Sequence, residues 1–151
     1  MLKTAASRAE LESIARRWIS LWQTPDMRLV DELHDPEFVD RSPDGRGQDL
    51  PSFKTGILDL YAAFPDFIAE TRLMVVDELD SSVAISWIAA GTHEASFMGY
   101  PASHAQIRFS GIEIIRIRNG KIIERWGEWN GAGIVSQLEE AARIGDEAPK
   151  R

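Results

Sequence analysis

Cysteine is absent from the 151 residues. Disulfides, thiolate nucleophiles and Cys-ligated metal centres are thereby excluded. Positive charge is in deficit as well, with 17 Lys+Arg against 24 Asp+Glu and a formal net charge of −7. Phosphate backbones and anionic lipid surfaces select basic faces, so neither nucleic acid nor a membrane is an expected partner. No apolar run approaches the roughly 18–20 residues of a membrane span. The opening stretch MLKTAASRAELE turns polar too early for a secretory signal, so a soluble, cytoplasmic chain is expected. There is no Gly-rich phosphate loop, no G-x-S-x-G elbow and no dinucleotide fingerprint. The three histidines stand alone, without His-x-x-x-His or carboxylate spacing, so neither a metal nor another cofactor is expected.

What is present fits one globular domain. Hydrophobic residues make up 44% of the chain, enough to build a core at this length. The domain is expected to span 1–151, with an ordered core over about 7–142 and a loose tail over 143–151. Ser7 and Glu10 have capping-box spacing. After them Leu11, Ile14, Ala15, Trp18 and Trp22 repeat at intervals of three and four, one stripe of a helix. Thr24-Pro25 reads as the N-cap and first residue of a second helix that Asp35-Pro36 ends. Phe53, Ile57, Leu60, Tyr61 and Phe64 share a face of a third helix that starts near Asp49 and Pro51. The period then changes to two. Strands are expected at about 67–79, 83–94, 106–118 and 121–129, with a short one at Phe38-Val39-Asp40. Asp80-Ser81-Ser82 and Asn119-Gly120 supply the hairpin turns. A terminal helix follows from Gly133. Helices, hairpin strands and a final helix predict an α+β fold in which N-terminal helices pack on a curved antiparallel sheet and leave a space for a small molecule.

The strand IRFSGIEIIRIR carries the chemistry. Alternation puts Ile107, Phe109, Gly111, Glu113, Ile115 and Ile117 on one face. A carboxylate in that row is costly unless paired or protonated. Glu113 is therefore a pocket general acid/base with a raised pKa, or one half of an ion pair with a buried Arg, or part of a row facing a second subunit. Asp40 is a second pocket carboxylate or an Asx-turn residue organising Arg41-Ser42-Pro43. His93, after Gly91-Thr92, is a proton carrier or a structural hydrogen-bonder. His34 and His104 fall in turn or loop sequence and are expected in solvent. In Glu124–Asn130, either Trp126, Arg125 and Glu128 form a pocket wall, or Trp126 is core and Trp129 meets a dimer partner.

The segments VDELHDPEFVDRSP, AAFPDF, AAGTHEASFMGYPAS, RIRNGKIIERW and NGAGIVSQL, in this order between Leu11 and Leu138, resemble the SnoaL-like polyketide cyclase family of the nuclear transport factor 2-like superfamily. The resemblance implies a cone-shaped α+β barrel with an open apolar pocket, cofactor-free chemistry, and dimers or tetramers. Cyclases of this family use an Asp on the last strand as general acid/base, and that position falls on Gly127. A Gln and a His of the preceding strand fall on Gly111 and Glu113, a pocket Asn on Asp40, and the His of a G-x-H element on His93. The expected catalytic set is Glu113, Asp40 and His93. The expected pocket lining is Gly111, Gly127, Arg125, Trp126, Phe109, Ile115 and Tyr61. The expected activity is cyclisation, isomerisation, dehydration or hydrolysis of a small hydrophobic carbonyl compound. The alternatives are a non-catalytic binding module of the same fold or a role in assembly. A homodimer through the outer sheet face is expected, because Ile112, Ile114 and Trp129 would otherwise be exposed.

Overall fold

A computed structural model describes residues 6–147. Helix α1 runs Arg8–Ile19 with Ser7 as its N-cap, the Ser7 side chain accepting from the Glu10 N–H, and a 3-10 turn, Ser20–Trp22, extends it. Helix α2 is Met27–Leu33. Its cap is Asp26, not Thr24, because the Asp26 carboxylate reaches the N–H groups of both Arg28 and Leu29. Strand β1 follows directly at His34–Asp40, longer than the three residues expected. Helix α3, Leu50–Ala63, starts on Asp49 with Pro51 in its first turn. Strands β2 (Ile68–Asp77), β3 (Ser82–Thr92), β4 (Gln106–Arg118) and β5 (Lys121–Trp129) lie within two residues of their expected bounds. Asn119 and Gly120 both take positive φ, as a type I′ turn demands.

The strands form one curved sheet in the order β1-β5-β4-β3-β2. Three of its pairings are antiparallel, but β1 lies parallel to β5, with Asp40 opposite Arg125. The sheet is therefore mixed, not purely antiparallel as expected. Hairpin turns dictate antiparallel pairing only between the strands they join. No turn joins β1 to β5, which are separated in the chain by α3 and three strands. Helix α4, Gly131–Glu147, also begins earlier than expected, with Asn130 accepting from the Gly133 N–H. It carries on through 143–147, where a loose tail was expected, because Arg143 pairs with Glu140 and, at 2.9 Å, with Glu147. The rest of that tail, 148–151, lies outside the described residues.

Two apolar clusters hold the helices to one face of the sheet. Trp18, Leu21, Val30, Phe38 and Phe53 meet Ile85 and Ile115 under α1 and α3. Phe64, Phe67, Ile107 and Phe109 meet Ile134 and Leu138 of α4. His34 belongs to the first cluster and is buried, contrary to its expected exposure. The Trp18 Nε1–H donates to His34 Nε2 at 3.1 Å, and His34 Nδ1–H donates to the Val30 carbonyl at 2.7 Å. Burial drives its pKa down to about 4, against the hydrogen bond to Val30 and the charge of Asp31. His34 is thus a neutral core residue with both ring nitrogens satisfied. His104 is exposed as expected, with its Nδ1 3.2 Å from Glu94. Among the described residues no helix is long and apolar enough to cross a membrane.

Candidate active site

A cavity of about 520 Å³ lies between α1, α3 and the helix-covered face of the sheet. Period-two alternation decides what enters it. On β4 it turns Glu113 inward and Ile112 and Ile114 outward. On β5, residues Arg125, Gly127 and Trp129 line the cavity, while Trp126 sits on the outer face under Arg116, whose Cζ is 5.5 Å from the ring centre. The two tryptophans have exchanged their expected places. Trp129 packs inward between Phe97 and Phe109, and Trp126 is the exposed-face aromatic. Helices and loops supply the rest of the wall. Ser42, Arg46, Glu113 and Arg125 cluster as a polar end, with the Phe53 ring 5.7 Å from the Arg125 Cζ, and Trp22, Phe67, Trp87 and Phe97 supply aromatic wall.

The polar end is organised by Arg125. Its Nη1 donates to both oxygens of Asp40, at 3.0 and 3.1 Å, and to the Ser42 carbonyl at 3.1 Å. Its Nε and Nη2 donate to Glu113 Oε1 at 3.1 and 2.7 Å. Asp40 is fully buried and also accepts from the Ser42 N–H and from Arg46 Nη2. The ion-pair and Asx-turn readings of these two acids both hold, and they belong to one cluster. Glu113 is 5% exposed. Burial pushes its pKa up to about 7, although Arg125 pulls the other way; Asp40 and Glu128 add to the rise. Burial also works against the charge on Arg125, but Glu113 and Asp40 outweigh it and raise the Arg125 pKa further. The two shifts agree physically. One guanidinium shared by two carboxylates stays charged, while burial works against the charge on Glu113.

Among the described residues no hydrogen bond reaches Glu113 Oε2. That oxygen lies over Gly127, directly across from it in the register. A Cβ at 127 would overlap both Glu113 Oε2 and Arg125 Nη2. The missing side chain is what lets the carboxylate and the guanidinium meet.

The remaining expected residues are placed as follows. Gly111 does not line this cavity, because the Trp87 indole fills the space over it, with Cζ2 2.6 Å from where a Cβ would stand. Phe109 and Ile115 are packed in the core behind the wall, and Tyr61 turns aside to donate to the Phe67 carbonyl at 3.0 Å. His93 is not brought to Glu113. It is buried against Phe64, ring centres 5.5 Å apart, with Nδ1 held by Ser103. Its Nε2 has no partner among the described residues. Arg46 and the helix-borne wall were not anticipated as site residues. The helical stripe marked Phe53, Ile57 and Leu60 as buried but could not say that their face borders a cavity, and nothing in a loop sequence signals that Arg46 folds back. Among the described residues no cluster of His, Asp and Glu has the makings of a metal site.

The family model for SnoaL-like polyketide cyclase matches residues 12–138. Among solved structures, AclR of Streptomyces galilaeus, described as a candidate hydroxylase, superposes with a TM-score of 0.79 at 22% identity, covering 89% of this chain and 98% of that one. IdmH of Streptomyces antibioticus, described as a candidate polyketide cyclase, gives 0.76 at 23% identity over 85% and 98%. A SnoaL-like polyketide cyclase of Agrobacterium tumefaciens gives 0.58 at 20% identity over 86% and 92%. These likenesses establish the fold. Curated protein sequences yield no significant match.

The packing at Gly127 makes a prediction about stability. Gly127→Ala should cost at least about 2 kcal/mol in chemical denaturation, since it overpacks the site and separates a buried ion pair. An unchanged unfolding free energy would mean that Glu113 and Arg125 do not meet over this residue.

Proposed function

The chain belongs to the SnoaL-like polyketide cyclase family, and from that premise we propose that it is a cofactor-independent acid/base enzyme acting on a small apolar carbonyl compound. The observation that carries the reading is the state of Glu113. It is a buried carboxyl with one oxygen held by Arg125 and the other, among the described residues, without a donor at the wall of a cavity of about 520 Å³, and burial pushes its pKa up to about 7. A group with a pKa near the working pH both accepts and returns a proton efficiently.

In the ionised form, Glu113 Oε2 takes a proton from the carbon next to a substrate carbonyl. The electron pair of that C–H bond moves onto the carbonyl oxygen as an enolate. Where a C=C bond adjoins that carbon, the enolate extends over it and Glu113 returns the proton to the far carbon as the double bond shifts, which is an isomerisation. Alternatively, the enolate carbon attacks a second carbonyl of the same molecule and the new alkoxide takes the proton, which closes a ring. Protonating a departing hydroxyl gives dehydration. Each of these balances without an added oxidant, reductant or metal. Arg125 and Asp40 act as positioning residues. Arg125 fixes the carboxylate, and Asp40 keeps Arg125 from neutralising it fully. His93 has no part in this scheme.

Turnover and binding separate this reading from a binding module of the same fold. Glu113→Gln keeps the shape and removes the transferable proton. With a ring-closing or isomerising substrate, the variant should bind as well as wild type and lose at least about 100-fold in kcat. Full turnover in the variant would refute the acid/base role. Tight binding by both proteins with turnover by neither would favour the binding module.

The same reading includes a second copy of the chain on the outer sheet face. Val75, Ala84, Ile114 and Trp126 stand in register across four strands, and Leu73, Ser86 and Ile112 form the next row. Leu73 and Ile112 are 61% and 56% exposed. Glu128 ends the second row beside Ile112, and Arg116 stands on the same face beside Trp126. Sedimentation at micromolar concentration should give twice the 16.9 kDa chain mass, and Ile114→Lys should give the single chain. A wild-type protein that sediments at 16.9 kDa would contradict the dimer.

A further inference from the structure

The cavity wall contains a cation that the acid/base scheme does not use. Arg46 lies in the loop between β1 and α3 and lines the polar end. A guanidinium has five N–H donors. Among the described residues, Arg46 engages one nitrogen, Nη2 on Asp40 at 3.2 Å, and its Nε is buried with no acceptor. Arg125, by contrast, has Nε, Nη1 and Nη2 all committed. The seat of Arg46 is built into the helix opposite. Gly56 lies within α3, where glycine costs about 1 kcal/mol relative to alanine. A Cβ there would stand 2.8 Å from Arg46 Nε and 3.0 Å from its Cζ. The glycine opens the slot in which the guanidinium rests. Asp44, Asp59 and Glu128 also border the cavity, but all three are exposed and none pairs with Arg46 among the described residues.

Trp22, Phe67, Trp87, Phe97 and Trp129 give the same cavity flat apolar surfaces. Arg125 is shared between Asp40 and Glu113, so among the described residues Arg46 is the cation in this wall with donors to spare. We infer that Arg46 recognises an anionic oxygen on a flat aromatic ligand, so that the substrate class is an aromatic compound bearing a carboxylate or a similarly charged oxygen. This rests on the cavity being a ligand site, as proposed above, but not on turnover. A guanidinium binds a carboxylate through charge-assisted, often paired hydrogen bonds, which a neutral hydroxyl of the same size cannot match. The arrangement fixes which end of the ligand lies beside Glu113.

The test compares 2-naphthoate with 2-naphthalenemethanol, a neutral compound of nearly the same shape, by titration calorimetry. Wild type should bind the naphthoate about tenfold more tightly. In Arg46→Met the preference should fall to within about twofold while the alcohol binds as before, and Arg46→Lys should keep part of it. Gly56→Ala, which closes the slot and leaves the charge on the chain, should lose the preference as well. Equal binding of the two compounds by wild type overturns the inference. So does a preference that survives Arg46→Met, or failure of both compounds to bind at millimolar concentration. Glu113→Gln should retain the naphthoate preference. Failure of the acid/base reading and failure of the Arg46 reading therefore appear in different experiments.

Discussion

One buried guanidinium determines the arrangement of the polar half of this molecule. Arg125 on β5 holds Asp40 of β1 on one side and Glu113 of β4 on the other, so a single side chain ties three adjacent strands. Its backbone takes part too, because the Arg125 carbonyl accepts from the Arg41 N–H at 2.8 Å. Taking such charges out of water is costly, and the cost is offset only when nearly every donor and acceptor is matched. Arg125 meets that condition and Asp40 comes close to it. Glu113 does not, because among the described residues one of its oxygens is left without a donor. The unmatched oxygen is the one at the cavity, where a functional site needs an incompletely satisfied group.

The cavity follows from the same constraint. β1 is short and parallel, and the Arg125 bonds to Asp40 and Ser42 fix the point where the chain leaves it. The loop that follows carries Arg46 back to Asp40 before α3 begins. The helices contribute aromatic surface, and the sheet contributes the acid and its partner. An amphipathic space with its charges at one end orients an elongated ligand as well as containing it. The family scaffold accounts for the space. The chemistry depends on side chains that this chain places in it.

The sequence revealed the periodic parts of this structure and little else. Alternation along β4 identified Glu113 as an inward carboxylate, since a period of two leaves no choice once the apolar row is known. The hairpin strands were legible because Asn119-Gly120 and Asp80-Ser81-Ser82 punctuate them. β1 was legible only as a fragment, and its parallel pairing was not, because its partner strand and the Arg125 side chain that holds Asp40 lie 85 residues away. The facing of β5 was misread between Trp126 and Trp129, as both faces of that strand carry large side chains. His34 was misplaced for a related reason. Turn-like neighbours suggested solvent, but the ring sits at the helix-to-strand junction, where the Trp18 indole is directed at it. Gly127 looked like a lost functional group in sequence. In space it is the opening through which the carboxyl of the neighbouring strand reaches the same place.

The central claim is that Glu113 is a proton-transfer group kept near neutrality by burial, and only partly restrained by Arg125. Carbon-13 NMR titration of the glutamate side-chain carboxyls reads this directly. One carboxyl should titrate near pH 7, and its signal should vanish in Glu113→Gln. If every glutamate carboxyl titrates below about pH 5, the ordinary range for this side chain, then Arg125 has fixed Glu113 as a permanent anion and the account is wrong.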